Sequence, residues 1–297
     1  MRAYDVSALA SQAVWPEEAP CSLGEFVALV ERAGAAHYRD LPWRNIDDAY
    51  AVLVSEVMLQ QTQVKRVLVY WERFLDAFPA IDALAAASTG DVLALWQGLG
   101  YNRRALALKR CAEECSRTCG GKLPETVDEL IALPGIGQAT AAGVVAFAFD
   151  RPSVYLETNV RTVLLHELFP GVESVDDKVL APLAAVACLD RESPRRWYYA
   201  LLDYGAYLKT QVTNPSRRSA HYARQAAFEG SRRQKRAELV RIVLANPGIT
   251  LLQATARLSA LEVASEREPV DIKTVESIAF DLAREGFFRI EGDHLVP

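Results

Sequence analysis

Glu129-Leu130-Ile131-Ala132-Leu133-Pro134-Gly135-Ile136-Gly137-Gln138-Ala139-Thr140-Ala141 is the stretch on which the reading of this 297-residue chain turns. Apolar residues at helical spacing run up to Leu133, a Pro-Gly pair interrupts them, and a second apolar run starts at Gln138. The segment therefore predicts helix, tight turn, helix. Two glycines two positions apart let the backbone turn sharply and approach another molecule with no Cβ in the way. The amides of the turn and of the next helix's first turn then face outward as an anion site, while Ile136 plugs the turn into the core. A phosphate diester is the natural ligand, held without regard to base sequence. Leu133, Gly135, Ile136 and Gly137 are the candidate contacts.

Outward from the hairpin, apolar residues recur at three- and four-residue spacing from Phe26 to about Ala226. Helices are expected over Tyr50–Phe78, Asp91–Leu95, Asn102–Ser116, Thr126–Ala132, Gln138–Phe149, Asn159–Leu168, Val179–Cys188 and Pro194–Leu208. Strand-like alternation is scarce, so this part reads as all-α. The composition changes around Ala227–Lys235. Beyond it come helices over Arg236–Ala245, Leu251–Leu258 and Asp271–Glu285, with a Glu- and Ser-rich loop before the last, then two short strands about a Gly-Asp turn. That order resembles a winged helix. The expected organisation is an N-terminal extension (1–22), a main helical domain (23–228) and a winged-helix-like module (229–297). Winged helices bind DNA or proteins, and the helix pattern does not choose between them.

Composition sets the outer limits. Apolar residues make up 51% of the chain and charged ones 24%, enough for a sizeable core in a soluble protein. No apolar run approaches the roughly 20 residues that span a bilayer, and the first residues do not read as a signal peptide. A cytoplasmic protein of bacterial type, associated with the nucleoid and monomeric, with no membrane partner, is the expectation. Cys111, Cys115 and Cys119 recur every four residues but lack a fourth ligand nearby, so they read as small packing residues rather than a metal site. The net charge of −5 argues mildly against a nucleic-acid partner, but clustering matters more than the total. Ser216–Arg241 holds eight basic residues (Arg217, Arg218, Arg224, Arg232, Arg233, Lys235, Arg236, Arg241) against Glu229 and Glu238, and Arg103, Arg104, Lys109 and Arg110 form a second group.

Two carboxylates stand out. Glu56 lies between Val52-Leu53-Val54 and Val57-Met58-Leu59, so its carboxyl should be partly desolvated. Desolvation raises its pKa and suits it to deliver a proton near neutral pH. Read alone, it could equally pair with a distant Arg or reach water. Glu157 sits in Val154-Tyr155-Leu156-Glu157-Thr158-Asn159-Val160-Arg161, at a loop-to-helix junction where it or Thr158 could also simply cap the helix. Paired carboxylates are what N-glycosidic cleavage needs: one protonates the leaving base or positions water, the other stabilises an oxocarbenium-like sugar.

The chain from about Pro42 to Lys209 resembles the helix-hairpin-helix DNA glycosylases, and among them the MutY-type adenine glycosylases rather than endonuclease III. The stretches that carry this are Leu41-Pro42-Trp43, Ser55–Val64, Trp96-Gln97-Gly98-Leu99-Gly100-Tyr101, Gly120–Pro124, Leu133–Gly137, Leu156–Val160 and Leu202–Ala206. The resemblance implies a base excision enzyme acting on double-stranded DNA that holds a mispair. It places Glu56 as the acid that protonates adenine and Asn159 as the asparagine that assists the active-site water. Gln60, with Gln61 and Thr62 beside it, would enter the duplex next to the extruded nucleotide, and Tyr101 would wedge beside the mispair. Arg103, Arg217 and Arg218 are further candidate DNA contacts.

Three departures from the family pattern bear on mechanism. Glu157 stands where the family has an aspartate that stabilises the cationic sugar. Ala139 stands where the bifunctional branch has its Schiff-base lysine, so base release without strand cleavage is expected. The four cysteines that hold an iron–sulfur cluster in the family fall, in ungapped register, on Lys209, Ser216, Ser219 and Gln225, so no cofactor is expected. The nucleotide-hydrolase-like domain that ends MutY proteins is replaced by the winged-helix-like module. The expected function is excision of adenine opposite 8-oxoguanine or guanine. The alternatives are a glycosylase for mismatched thymine or uracil or an alkylated purine, and a catalytically silent DNA-binding protein.

Overall fold

A computed structural model of the chain describes residues 4–220 and 227–297, so Arg224 and Gln225 lie outside the described residues. In chain order the helices are α1 (Val6–Ser11), α2 (Leu23–Ala36), α3 (Ala49–Leu59), α4 (Val64–Ala77), α5 (Ile81–Ala86), α6 (Thr89–Trp96), α7 (Arg103–Thr118), α8 (Val127–Ala132), α9 (Gln138–Phe149), α10 (Thr158–Leu168), α11 (Asp177–Leu189), α12 (Pro194–Gln211), α13 (Arg232–Ala245), α14 (Leu251–Ala264) and α15 (Ile272–Glu285). A 3-10 turn, Pro215–Arg218, follows α12. Three short strands, β1 (Ile249–Thr250), β2 (Arg289–Glu291) and β3 (His294–Val296), form an antiparallel sheet in the order β1-β3-β2. The fold is thus mostly helical, as the sequence reads. The chain divides into two compact units, Met1–Glu56 with Leu123–Arg224 and Val57–Lys122 with Gln225–Pro297, and the division falls inside α3.

In the first unit α9 is built from small and apolar residues, and every position from Thr140 to Ala148 is buried. Asp150 ends it in a left-handed conformation (φ 51°). The Asp150 carboxylate then accepts hydrogen bonds from Ser193 Oγ (2.9 Å) and the Arg195 amide (2.8 Å), which fixes where α12 begins. Glycines allow α12 its close neighbours: Ala200 lies against Gly34 of α2, and the Asn159 backbone of α10 against Gly205, with no room for a Cβ at either glycine.

A buried ion pair ties the Leu41–Arg44 segment to α12. Arg44 reaches both oxygens of Asp203 at 2.7 and 2.8 Å, with both side chains essentially sealed from solvent (1% and 0% exposed). Arg39 adds a third charged contact at 2.5 Å, and the Arg44 guanidinium stacks over Tyr199, 4.4 Å from the ring centroid.

In the second unit the structure departs from the single helix expected over Tyr50–Phe78. The chain breaks between α3 and α4, where Gln61 adopts a left-handed conformation (φ 55°). The cause is Arg104 on α7. Its guanidinium donates to the carbonyls of Val57 (2.8 Å), Met58 (2.9 Å) and Gln60 (2.5 Å), satisfying the last carbonyls of α3 from outside the helix. Two smaller differences lie in the C-terminal module. α14 continues past Leu258 to Ala264, because Glu262 is buried and paired with Arg267 and Lys235 rather than sitting in a solvated loop. The expected hairpin also gains a third strand, β1.

The buried pair and an exposed one should differ sharply in worth. Asp203→Ala strands Arg44 as an unpaired buried cation and is expected to lower the unfolding free energy by about 3–5 kcal/mol. Breaking the exposed Arg151–Glu125 pair (54% and 54% exposed) through Glu125→Ala should cost about 0–1 kcal/mol. Urea unfolding midpoints of the two variants test this, and equal shifts would contradict it.

Candidate active site

Glu56, on α3, lies against α9 only because Gly143 has no side chain: a Cβ there would overlap the Glu56 carboxylate. The carboxyl keeps partial exposure while its surroundings desolvate it. That burial, reinforced by the negative charge of Glu157, pushes its pKa up to about 8. The Tyr155 hydroxyl opposes them, donating to Glu56 Oε2 at 3.1 Å and favouring the charged form. Desolvation wins, and Glu56 carries its proton at neutral pH.

Tyr155 is itself tightly placed. It is 4% exposed, its ring meets Phe147 edge-on at 5.1 Å, and its amide donates to Tyr198 Oη at 3.2 Å. Tyr198 in turn donates to the Ser153 carbonyl at 2.5 Å. Burial and the nearby carboxylates hold the Tyr155 phenol well above its usual pKa, so it remains a donor. With Tyr155 bonded to Oε2, the transferable proton of Glu56 belongs on the other oxygen.

Glu157 is the N-cap of α10, its carboxylate accepting from the Thr158 amide at 3.0 Å, and Asn159 follows in the first turn. Lys209 Nζ donates to Asn159 Oδ1 at 2.7 Å, which fixes the amide so that its NH2 group is left for another partner. Burial lowers the Lys209 pKa, while the Glu157 charge acts to raise it. The first unit thus holds a neutral acid, a second carboxylate and an oriented amide. Together these can protonate a leaving base, stabilise a developing cation and position water.

The hairpin has the expected form. Leu133 and Ile136 are each 6% exposed, Gly135 takes φ 77°, and Gly137 caps α9 with open space where a side chain would project. No side chain caps this helix end.

In the second unit Arg104 ties the Gln60–Thr62 turn to the Gly98–Tyr101 loop: besides Gln60 O it donates to Thr62 Oγ1 (3.0 Å), Leu99 O (3.3 Å) and Gly100 O (2.9 Å). Arg104 therefore acts as the organiser of this loop pair, a role invisible in a run of basic residues. Other basic residues are similarly engaged within the protein. Arg103 makes a two-pronged pair with Glu285 (2.7 and 2.6 Å), and Arg232, Lys235 and Arg236 pair with Asp281, Glu262 and Glu285. Arg218 turns inward onto the carbonyls of Leu165, Phe169 and Val172 at the end of α10, whereas Arg217 is exposed.

Tyr155, Gly143 and Arg104 had no assigned role in the sequence. A usable signal existed for Tyr155: a tyrosine in an apolar extended stretch needs a buried partner for its hydroxyl. At the positions of the family's cluster cysteines, Lys209 bonds Asn159 and Ser216 Oγ bonds Asn214 Oδ1 at 2.8 Å; Ser219 is buried, and Gln225 lies outside the described residues. Amine and hydroxyl donors do not suit an iron–sulfur cluster. Among the described residues no group of His, Cys, Asp and Glu is placed to hold a metal.

Sequence comparison finds that residues 54–188 match the model of the HhH-GPD superfamily base excision DNA repair protein family. The chain is 37% identical over 179 residues to the adenine DNA glycosylase of Mycobacterium tuberculosis (strain CDC 1551 / Oshkosh), a match covering 59% of each chain. It is 37% identical over 183 residues to that of Mus musculus, covering 58% of this chain and 36% of the mouse protein. The similarity thus spans less than two thirds of these relatives' length. Among solved structures, a thermostable thymine-DNA glycosylase aligns with a TM-score of 0.56 at 23% identity, covering 62% of this chain and 86% of the other. A 3-methyladenine DNA glycosylase of H. pylori aligns at 0.51 and 16%, covering 64% and 98%. These structural likenesses concern the fold.

If Glu56 is the proton donor for base release, that release should be level below neutrality and fall as pH rises through about 8. Tyr155→Phe removes the bond that favours the charged form and should move this alkaline limb to higher pH. Glu157→Gln removes a neighbouring negative charge and should move it lower, while slowing release by about a hundredfold. Single-turnover rates across pH test both signs, and limbs that stay in place would refute the assignment.

Proposed function

We propose that this protein is a monofunctional DNA glycosylase that excises adenine mispaired with 8-oxoguanine or guanine. The observation that carries the reading is the Glu56 carboxyl, kept protonated at neutral pH beside Glu157 and Asn159. A purine leaves readily only after gaining a proton, so an acid poised near neutrality suits adenine. The named activity of the relatives at 37% identity supports the same choice.

Double-stranded DNA is the partner, gripped at the phosphate backbone by the Leu133–Gly137 hairpin and the uncapped start of α9. The extruded nucleotide places its base at Glu56. The proton moves from Glu56 to the base, the N-glycosidic bond breaks, and Glu157 stabilises the cationic sugar. The Asn159 amide, held by Lys209, orients the water that completes hydrolysis. Ala139 offers no amine at its position, so the product is an abasic site in an intact strand. Gln60 and Tyr101 fill the space that the extruded nucleotide leaves. Residues 23–228 form the glycosylase domain in this reading, 229–297 a winged-helix-like appendage, and no iron–sulfur cluster takes part.

Duplexes carrying single defined mispairs, incubated with the protein and then treated with alkali, test the substrate. Strand breaks at adenine opposite 8-oxoguanine or guanine are expected. Breaks at another base would replace adenine as substrate, and binding without breaks would remove the enzymatic reading. Glu56→Gln should slow release by about 10²–10⁴-fold while leaving DNA affinity near that of the parent. The purified protein should be colourless, and stoichiometric iron would overturn the cluster-free reading.

A further inference from the structure

Asn159 stands in the first turn of α10, partly exposed, two residues after Glu157. A side-chain amide there turns between two faces at little cost, because its last torsion is broad and two-fold. One face shows a neighbour two hydrogen-bond donors, the other an acceptor. Lys209 removes the choice. An ammonium only donates, so the atom 2.7 Å from its Nζ is the carbonyl oxygen, and the NH2 group is turned the other way.

α12 grips Asn159 at two levels, one helical turn apart. At Gly205 the Asn159 backbone carbonyl and Cβ lie against the helix where a side chain has no room, and at Lys209 the ammonium reaches the amide. The grip is fixed at its base, since Asp150 sets where α12 begins and Asp203 is held by Arg44 and Arg39. The ammonium is kept there against two opposing influences. Burial and the like charge of Arg39 both disfavour its charged form, and the Glu157 carboxylate favours it. A lysine with no task at this point would carry its head out to water on its flexible stem.

We propose that Lys209 is a positioning residue that locks the Asn159 amide with its NH2 group facing the water that attacks the sugar, and that formation of the abasic product depends on this lock. The inference rests on the base-excision reading above. It adds the element that sets the amide: a charged donor from α12 that acts through Asn159 and touches neither base nor sugar.

The test uses the full chain carrying 15N only in its five asparagines, the Asn159 amide signals being those lost in Asn159→Ala. In the DNA-free parent these two protons should be well separated and slow to exchange with solvent. In Lys209→Met they should move to the positions of an unbonded side chain, while unchanged signals from the other four asparagines establish that the variant folds. Single-turnover formation of alkali-labile sites at adenine opposite 8-oxoguanine should fall about ten- to a hundredfold in Lys209→Met, with the duplex bound as tightly as by the parent. Asn159→Ala should fall at least as far, and the double variant no further than Asn159→Ala. A parent whose Asn159 amide behaves as unbonded, signals that ignore the substitution, a Lys209→Met rate equal to the parent's, or losses that multiply in the double variant would overturn the inference. A parent that released no adenine would strike the proposed function instead, and the amide signals, read without DNA, would still decide whether Lys209 locks Asn159.

Discussion

A carboxylic acid that must give up a proton near neutral pH cannot be left in water, where it would already be ionised, nor sealed away from its substrate. Glu56 meets both demands by sitting among apolar groups while keeping partial exposure. Much of the first unit follows from holding it there. Gly143 leaves out a side chain where the carboxylate lies, and the rest of α9 is small and buried enough to let α3 approach. Tyr155 is braced by Tyr198 and Phe147, so its hydroxyl meets one carboxylate oxygen and leaves the other to act. The same packing supports the buried Arg44–Asp203 pair, whose guanidinium stacks on Tyr199, and Tyr199 in turn stacks on Phe147 at 4.7 Å.

The two carboxylates share a site but not a task. Glu157 is half-exposed at the N-terminus of α10, with its carboxylate accepting from the Thr158 amide. Its charge, with desolvation, pushes Glu56 toward the neutral form. One group is thereby fitted to donate a proton and the other to face positive charge. Lys209 adds a cation next to Asn159 without neutralising Glu56, and so orients the amide while leaving the acid in place.

The hairpin, the helices around it and both carboxylates were legible because each depends on local signals: a Pro-Gly break, 3.6-residue periodicity, a charge inside an apolar run. Contacts between distant residues were not. The α3–α4 break follows a stretch whose apolar spacing continues from Val57 to Phe74, and it exists because Arg104, more than forty residues on, satisfies the freed carbonyls. Tyr155 and Glu56 are separated by 99 residues, and no periodicity links them. The basic residues of α13 stand out in sequence only as part of a charge cluster, yet Asp281, Glu262 and Glu285 approach them from other helices and hold Arg232, Lys235 and Arg236.

That pairing also bears on how an acidic protein would hold the polyanion proposed as its partner. With a net charge of −5, and many arginines engaged by carboxylates or backbone carbonyls, long-range attraction cannot carry the interaction. Backbone amides and a helix N-terminus can, because their partial charges are fixed in place and leave the formal charge untouched. Recognition then falls to residues that combine an exposed position with a rigid support. The glycine hairpin and the Arg104-braced tyrosine loop are such elements, each held by internal bonds rather than by a surplus of positive charge.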